Sequence, residues 1–305
     1  IVINFTLTEY SKLFKPAVAY RTQLPGRSAQ PGPDRYPAGA LIYFQADGSA
    51  VNGNISLDIL DSSGRTVHSW QSRPVPESKA EELEIREGLN RIEWDLTYPG
   101  PFTVEDLVTM VMRNPASGPK AVPGEYLVRL SSGEVELTEP LQLNMDPRWK
   151  TSASALQETF EMAVKIRDMI TDFQEVIAQT RSVRAQVKDI SSLSGRNGHS
   201  PEIRKAAEAL CDKLSELEES LINNDIESSQ DAIGMERRLS NRMGRLYQVV
   251  RGHDAAPTGG MKERLADLEV VYNRHMKTFA KLTGEDLAAF NAMLKDEGVR
   301  HIMIP

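Results

Sequence analysis

The apolar side chains of this chain change their spacing at one place. Ahead of Asp146-Pro147-Arg148-Trp149 they recur every second residue, and beyond it every third or fourth. A period of two belongs to a strand with one buried face, and a period near 3.6 to an amphipathic helix. One chain therefore carries two architectures in succession. At 305 residues, each part is long enough to enclose its own core.

In the front part, Leu41 to Phe44 reads as a short buried strand. Ile55, Leu57 and Ile59 then alternate with Ser56 and Asp58. Asp61-Ser62-Ser63-Gly64 supplies turn residues, and Thr66 to Trp70 returns as the second arm of a hairpin. Ile92, Trp94 and Leu96 form another alternating run. Tyr126, Val128 and Leu130 form the next, and Val135 to Leu143 the last. About seven short strands separated by turns predict an immunoglobulin-like antiparallel β-sandwich over residues 39–146. Residues 1–38 are dense in proline (Pro16, Pro25, Pro31, Pro33, Pro37), which blocks helix and predicts an extended lead-in.

Residues 147–305 predict an antiparallel helical bundle of three to four long helices. Thr151 or Ser152 is suited to cap the first. Leu156, Phe160, Ala163, Ile166, Ile170, Phe173, Ile177, Thr180, Val183, Val187 and Ile190 advance by about 3.4 residues per step, close to a coiled-coil seam. A helix of that length needs other helices to cover it, and any overhang would leave apolar surface for a partner. A second stripe runs through Ile203, Ala207, Leu210, Leu214, Leu217 and Leu221. A third comprises Ile233, Leu239, Met243, Leu246 and Val250, and a fourth Leu265, Leu268, Tyr272, Phe279 and Leu282. Thr283 is placed to cap a short final helix carrying Leu287, Phe290 and Leu294. The short connections make neighbouring helices antiparallel.

The search for chemistry yields no self-contained centre. His68, His199, His253, His275 and His301 are scattered without metal-ligand spacing. Asn223-Asn224-Asp225 lacks the loop of a calcium site. Cys211, the single cysteine, falls within a helical pattern and reads as a packed thiol. Gly259-Gly260 ahead of a helix is a weak anion signal. Glu81-Glu82 and Glu218-Glu219 read as exposed faces. Trp94 and Trp70 read as core, and Trp149 as packing at the domain junction. The segment from Phe102 to Ala121 is long for a strand connection. Its Leu107, Val108, Met110 and Met112 either cover the end of the sandwich or form a candidate contact surface. The expectation is thus a chain that is not an enzyme, with no catalytic residue, cofactor or metal. A net charge of −7 argues against general affinity for nucleic acid, and no apolar run reaches the length of a membrane span.

Ile55 to Val67, Gly88 to Leu96 and Val122 to Leu130 resemble the flagellar-hook-cap-type immunoglobulin-like module of bacterial secreted proteins. Further stretches resemble the C-terminal region of bacterial sortilin-like proteins with BNR-repeat β-propellers: Leu13 to Pro16, Gly39 to Tyr43, Trp94 to Gly100, Asp146 to Arg148, Ile166 to Asp168, Leu239 to Arg242 and Ala256 to Thr258. The resemblance implies an exported protein, periplasmic, cell-surface or extracellular. It also implies that residues 1–38 lead out of an upstream propeller, and that the chain starts within a longer protein. The expected function is a non-catalytic module that packs on a β-propeller, in the same or a separate polypeptide, and mediates assembly, including self-association through its helices. The competing expectation is the accessory end of a propeller-type hydrolase whose catalytic site lies elsewhere.

Overall fold

A computed structural model describes residues 11–22, 39–75, 80–104, 117–197, 201–224, 235–299 and 301–304. The chain forms two compact units. The first comprises residues 1–99 and 119–160, the second residues 100–118 and 161–305.

The strands in chain order are β1 (Lys12–Leu13), β2 (Ala19–Arg21), β3 (Ala40–Ala46), β4 (Ile55–Leu60), β5 (Thr66–Gln71), β6 (Glu81–Glu82), β7 (Gly88–Trp94), β8 (Thr97–Pro99), β9 (Ser117–Lys120), β10 (Gly124–Ser132) and β11 (Val135–Met145). The two larger sheets, both in the first unit, have the orders β1-β3-β7 and β2-β11-β10-β4-β5-β6; β8 and β9 pair as a third, two-stranded sheet. The inward residues of both larger sheets, among them Ile42, Phe44, Leu57, Ile59, Trp94, Val128, Leu130, Leu141 and Leu143, share one apolar cluster. Their alternation with exposed residues is the period of two visible in the sequence.

Residues 11–22 are not a bare lead-in. Leu13 pairs with Phe44 in the antiparallel β1–β3 ladder, and Ala19 with Leu143 in the parallel β2–β11 ladder. The physical reason is Pro16. It ends one strand and holds the chain extended, so the chain passes from one sheet to the other while Leu13 and Ala19 both enter the core. A second parallel pairing joins β5 to β6. Parallel edge strands were not expected, because alternation reports which face is buried but not strand direction. At the β4–β5 turn, Asp61 accepts bonds from the backbone of Ser63 and Arg65, and Gly64 takes φ 82°.

The helices are α1 (Gly48–Asn52), α2 (Ala153–Asn197), α3 (Pro201–Leu221), α4 (Leu239–Arg251), α5 (Gly259–Lys281) and α6 (Leu287–Asp296). Ser152 Oγ accepts from the backbone of Ala155 at the start of α2. This helix has 45 residues, so it is about 68 Å long. Its seam is covered along the described side chains, from Leu156 at 2 % exposed to Val187 at 0 %; Phe160 and Ile190 are half-buried. The expected apolar overhang is therefore absent among the described side chains. The stripes of α3, α4 and α6 are buried, whereas α5 buries only Leu265 and Leu268.

Thr283 does not cap α6. A π-helical turn at Leu282–Asp286 carries α5 directly into α6, and Thr283 Oγ1 donates back to the Phe279 carbonyl at 2.9 Å. A threonine inside a helix can satisfy its hydroxyl this way, so composition could not separate that use from a cap.

The described ends of the long connection, residues 100–104 and 117–118, belong to the second unit. Phe102 N donates to Thr171 Oγ1, Val104 N to Gln174 Oε1, and Tyr247 Oη to the Ser117 carbonyl at 3.2 Å.

Candidate functional site

Helix α2 brings Arg181 and Arg184, three residues apart, onto the face that meets Glu218 of α3. Glu218 is 1 % exposed, with Arg181 Nε and Arg184 Nη1 each 2.6 Å from its carboxylate. The exposed face expected for Glu218 is thus a buried ion triad. Four residues advance a helix by about 400°, within about 40° of a full turn, so Glu218 follows Leu214 into the same buried stripe. This cluster ties helices together: every charge has an opposite neighbour, so it presents nothing to a ligand.

Elsewhere in the helical unit, polar groups are less completely used. A groove of about 1000 Å³ lies along α4 and the start of α5. Arg237, Arg242, Arg245 and Arg264 line it together with Asn223 and Asn241. None of these four guanidinium groups has an ion pair among the described residues. The one carboxylate in the lining, Glu236, is 77 % exposed and pairs with Arg238 at 3.0 Å. Asn241 is only 7 % exposed and also lines the groove. Asn223 donates to the Glu236 carbonyl at 3.1 Å, leaving its buried Oδ1 without a partner. A buried amide group left unbonded costs about 1–3 kcal/mol, so the Asn223 Oδ1 is unspent binding capacity at the groove.

The local sequence explains the arrangement. Leu239, Met243, Leu246 and Val250 bury one face of α4, which turns Arg242 and Arg245 toward the rim. Thr258 caps α5, accepting from Met261 N at 3.3 Å, and this sets the first turn of that helix, with Gly260, against the groove. The positive end of the helix dipole adds to the field of the arginines. Apolar groups share the lining: Leu246, Val249 and Met261. The sequence reading weighed Gly259-Gly260 as a weak anion signal and Asn223-Asn224-Asp225 as a poor calcium loop here. The missed signal was arginine at positions 242 and 245, three apart beside the apolar stripe.

Several residues weighed from sequence have plain surroundings. Trp94 is fully buried, packs edge-on against Tyr126 at 5.2 Å and donates from Nε1 to the Thr97 carbonyl at 2.9 Å. Trp70 is buried beside His68, with ring centroids 4.1 Å apart. Trp149 is 44 % exposed, and its backbone N–H donates to the Asp146 carbonyl. Leu107, Val108, Met110 and Met112 lie outside the described residues. Burial pushes the Cys211 thiol up in pKa, outweighing the opposing pull of Lys188 and Arg184, which keeps it protonated and a weak nucleophile. Burial, then the charge of Arg274, pushes the His275 pKa down; its Nδ1 lies 3.1 Å from Ser220 Oγ. Burial pushes Tyr247 up to about 12.

Among the described residues no three potential ligand side chains gather as a metal site, and no helix is long and apolar enough to cross a membrane. Comparison with protein-family models, with curated proteins and with solved structures finds no match.

Proposed function

We propose that this chain is a non-catalytic interaction module of a larger exported bacterial protein, an immunoglobulin-like β-sandwich followed by an antiparallel helical bundle. The sandwich reading is supported by the strand orders, in which β1-β3-β7 faces the core shared with β2-β11-β10-β4-β5. It is supported again by Tyr126, whose hydroxyl donates to the Val122 carbonyl four residues upstream at 2.8 Å, the bond of a tyrosine corner. The buried Trp94 against that tyrosine is a third supporting feature. The bundle reading is supported by one apolar cluster joining the stripes of α2 to α6.

The observation that carries the functional reading is the α4–α5 groove. Its polar lining is dominated by guanidinium cations, charged at every relevant pH, and carboxamides, which do not titrate; the one carboxylate, Glu236, is paired with Arg238. Guanidinium and carboxamide groups bind and orient a partner rather than shuttle protons. The sortilin-like resemblance makes a β-propeller the natural larger context, with the helices mediating assembly.

The test is light-scattering molar mass of the purified chain, alone and mixed with a separately produced β-propeller domain of the sortilin-like type. A complex that forms with the native chain and fails with R242E/R245E supports the reading. Turnover of a glycan or peptide substrate by the chain alone overturns it.

A further inference from the structure

The groove has a composition that narrows its ligand. A site for inorganic phosphate or a nucleic-acid backbone needs positive charge and hydrogen-bond donors but no apolar floor, and a nucleic-acid track continues along a basic surface. Here the arginines sit over apolar groups, Leu246, Val249 and Met261, in a chain whose net charge is −7. A long polyanion would meet repulsion beyond the groove. A ligand matching the lining has carboxylates for the arginines, apolar groups for the floor, and both donors and acceptors for the two amides.

Backbone of an extended peptide supplies such donor–acceptor pairs, and the fold already shows how side-chain amides hold one. Along the described tail, Asn291 donates to the Ile302 carbonyl at 3.0 Å and accepts from Ile302 N at 2.7 Å. Gln186 does the same for Met303, at 2.8 and 3.2 Å. Two consecutive tail residues are thereby gripped by two amides from different helices. In the groove, Asn223 has its Oδ1 without a partner, and the carboxamide of Asn241 lines the same wall. Arginine adds planar, two-pronged pairing to carboxylate groups.

We infer that the α4–α5 groove binds an extended peptide segment in which acidic side chains alternate with apolar ones. The carboxylates pair with Arg242, Arg245 and Arg264. The apolar side chains cover Leu246, Val249 and Met261, and the backbone bonds to Asn223 and Asn241. This rests on the interaction-module reading and names the partner's chemistry.

The experiment is fluorescence anisotropy with a short labelled peptide of alternating glutamate and leucine, titrated with the full chain. Expected is saturable binding that weakens about tenfold or more in R242E/R245E, since two attractive pairs become repulsive. Asn241→Ala is expected to weaken it about fivefold through loss of a desolvated hydrogen bond. Both variants are checked for native circular dichroism, and Arg242→Lys/Arg245→Lys, which keeps the charge, is expected to retain part of the affinity. Equal binding of a peptide with glutamine in place of glutamate overturns the inference, as does equal binding with serine in place of leucine. Tripolyphosphate that binds more tightly than the peptide, with the same arginine dependence, makes the groove a phosphate site instead. If the peptide fails to bind while the propeller complex still forms and still needs the arginines, the ligand assignment falls and the module reading stands.

Discussion

Arg21 of the β unit and Arg242 of the helical unit both sit on regular elements, and they end differently. Arg21 is 4 % exposed and donates to the Ala121 carbonyl at 2.8 Å. Arg242 lines a groove and has no side-chain partner among the described residues. The cause is the backbone around each. Sheet edges and loops leave carbonyls free, so a buried side chain near them finds a main-chain partner. Within a helix most carbonyls are already bonded, so a guanidinium on a helix meets another side chain, as Arg181 and Arg184 meet Glu218, or waits for a ligand. The exception is a connecting or terminal segment that brings carbonyls alongside, as the tail does for Asn291. The β unit consequently uses its buried polar groups internally, as in the Asp58 contacts with Arg129 and Ser69. The helical unit keeps some in reserve.

The comparison can be broken at its strongest points first. Trp94→Ala removes a fully buried ring and its bond to Thr97, and should cost about 3–5 kcal/mol by urea titration. Glu218→Ala strands two arginines against the helical core and should cost about 3 kcal/mol. A cost below about 1 kcal/mol would mean that solvent screening of the part-exposed arginines already supports them. Tyr126→Phe deletes only the hydroxyl bond to Val122 and should cost about 1 kcal/mol, read from the same titration.

Groove arginines should behave in the opposite sense. R242E/R245E is expected to leave the unfolding midpoint within about 0.5 kcal/mol of native, because charges without partners hold nothing together. A large loss there would show that the groove is structural. The smallest effect is a pH dependence at His275. Burial and Arg274 disfavour its imidazolium in the folded state, so its folded pKa lies below 6.5. Neutral His275 is therefore fully compatible with the fold above the unfolded pKa, and stability falls as the pH drops through the folded one. The native chain should lose more stability than His275→Gln between about pH 7.5 and about pH 5.5, a window spanning the ordinary histidine range, by thermal melts.

The two spacing regimes were enough to divide the chain into strands and helices and to place its buried faces. Ile55, Leu57, Ile59, Val128 and Leu130 in the front and Ile203, Ala207, Leu210, Leu214 and Leu217 behind are buried as their spacing requires. Burial follows from periodicity because neighbouring turns and pleats present one face at a fixed angular step. Strand direction, the passage of residues 12–21 between sheets, and the continuation of α5 through Thr283 into α6 depend on which distant segment comes alongside; local pattern holds no record of that. The same distinction governs the site. The arginine spacing on α4 is readable along the chain, but whether a carboxylate arrives opposite it, as Glu218 does for Arg181, is decided by how the helices pack. An ion pair between residues 37 apart, and an open arginine at residue 242, differ only in what tertiary contact puts beside them.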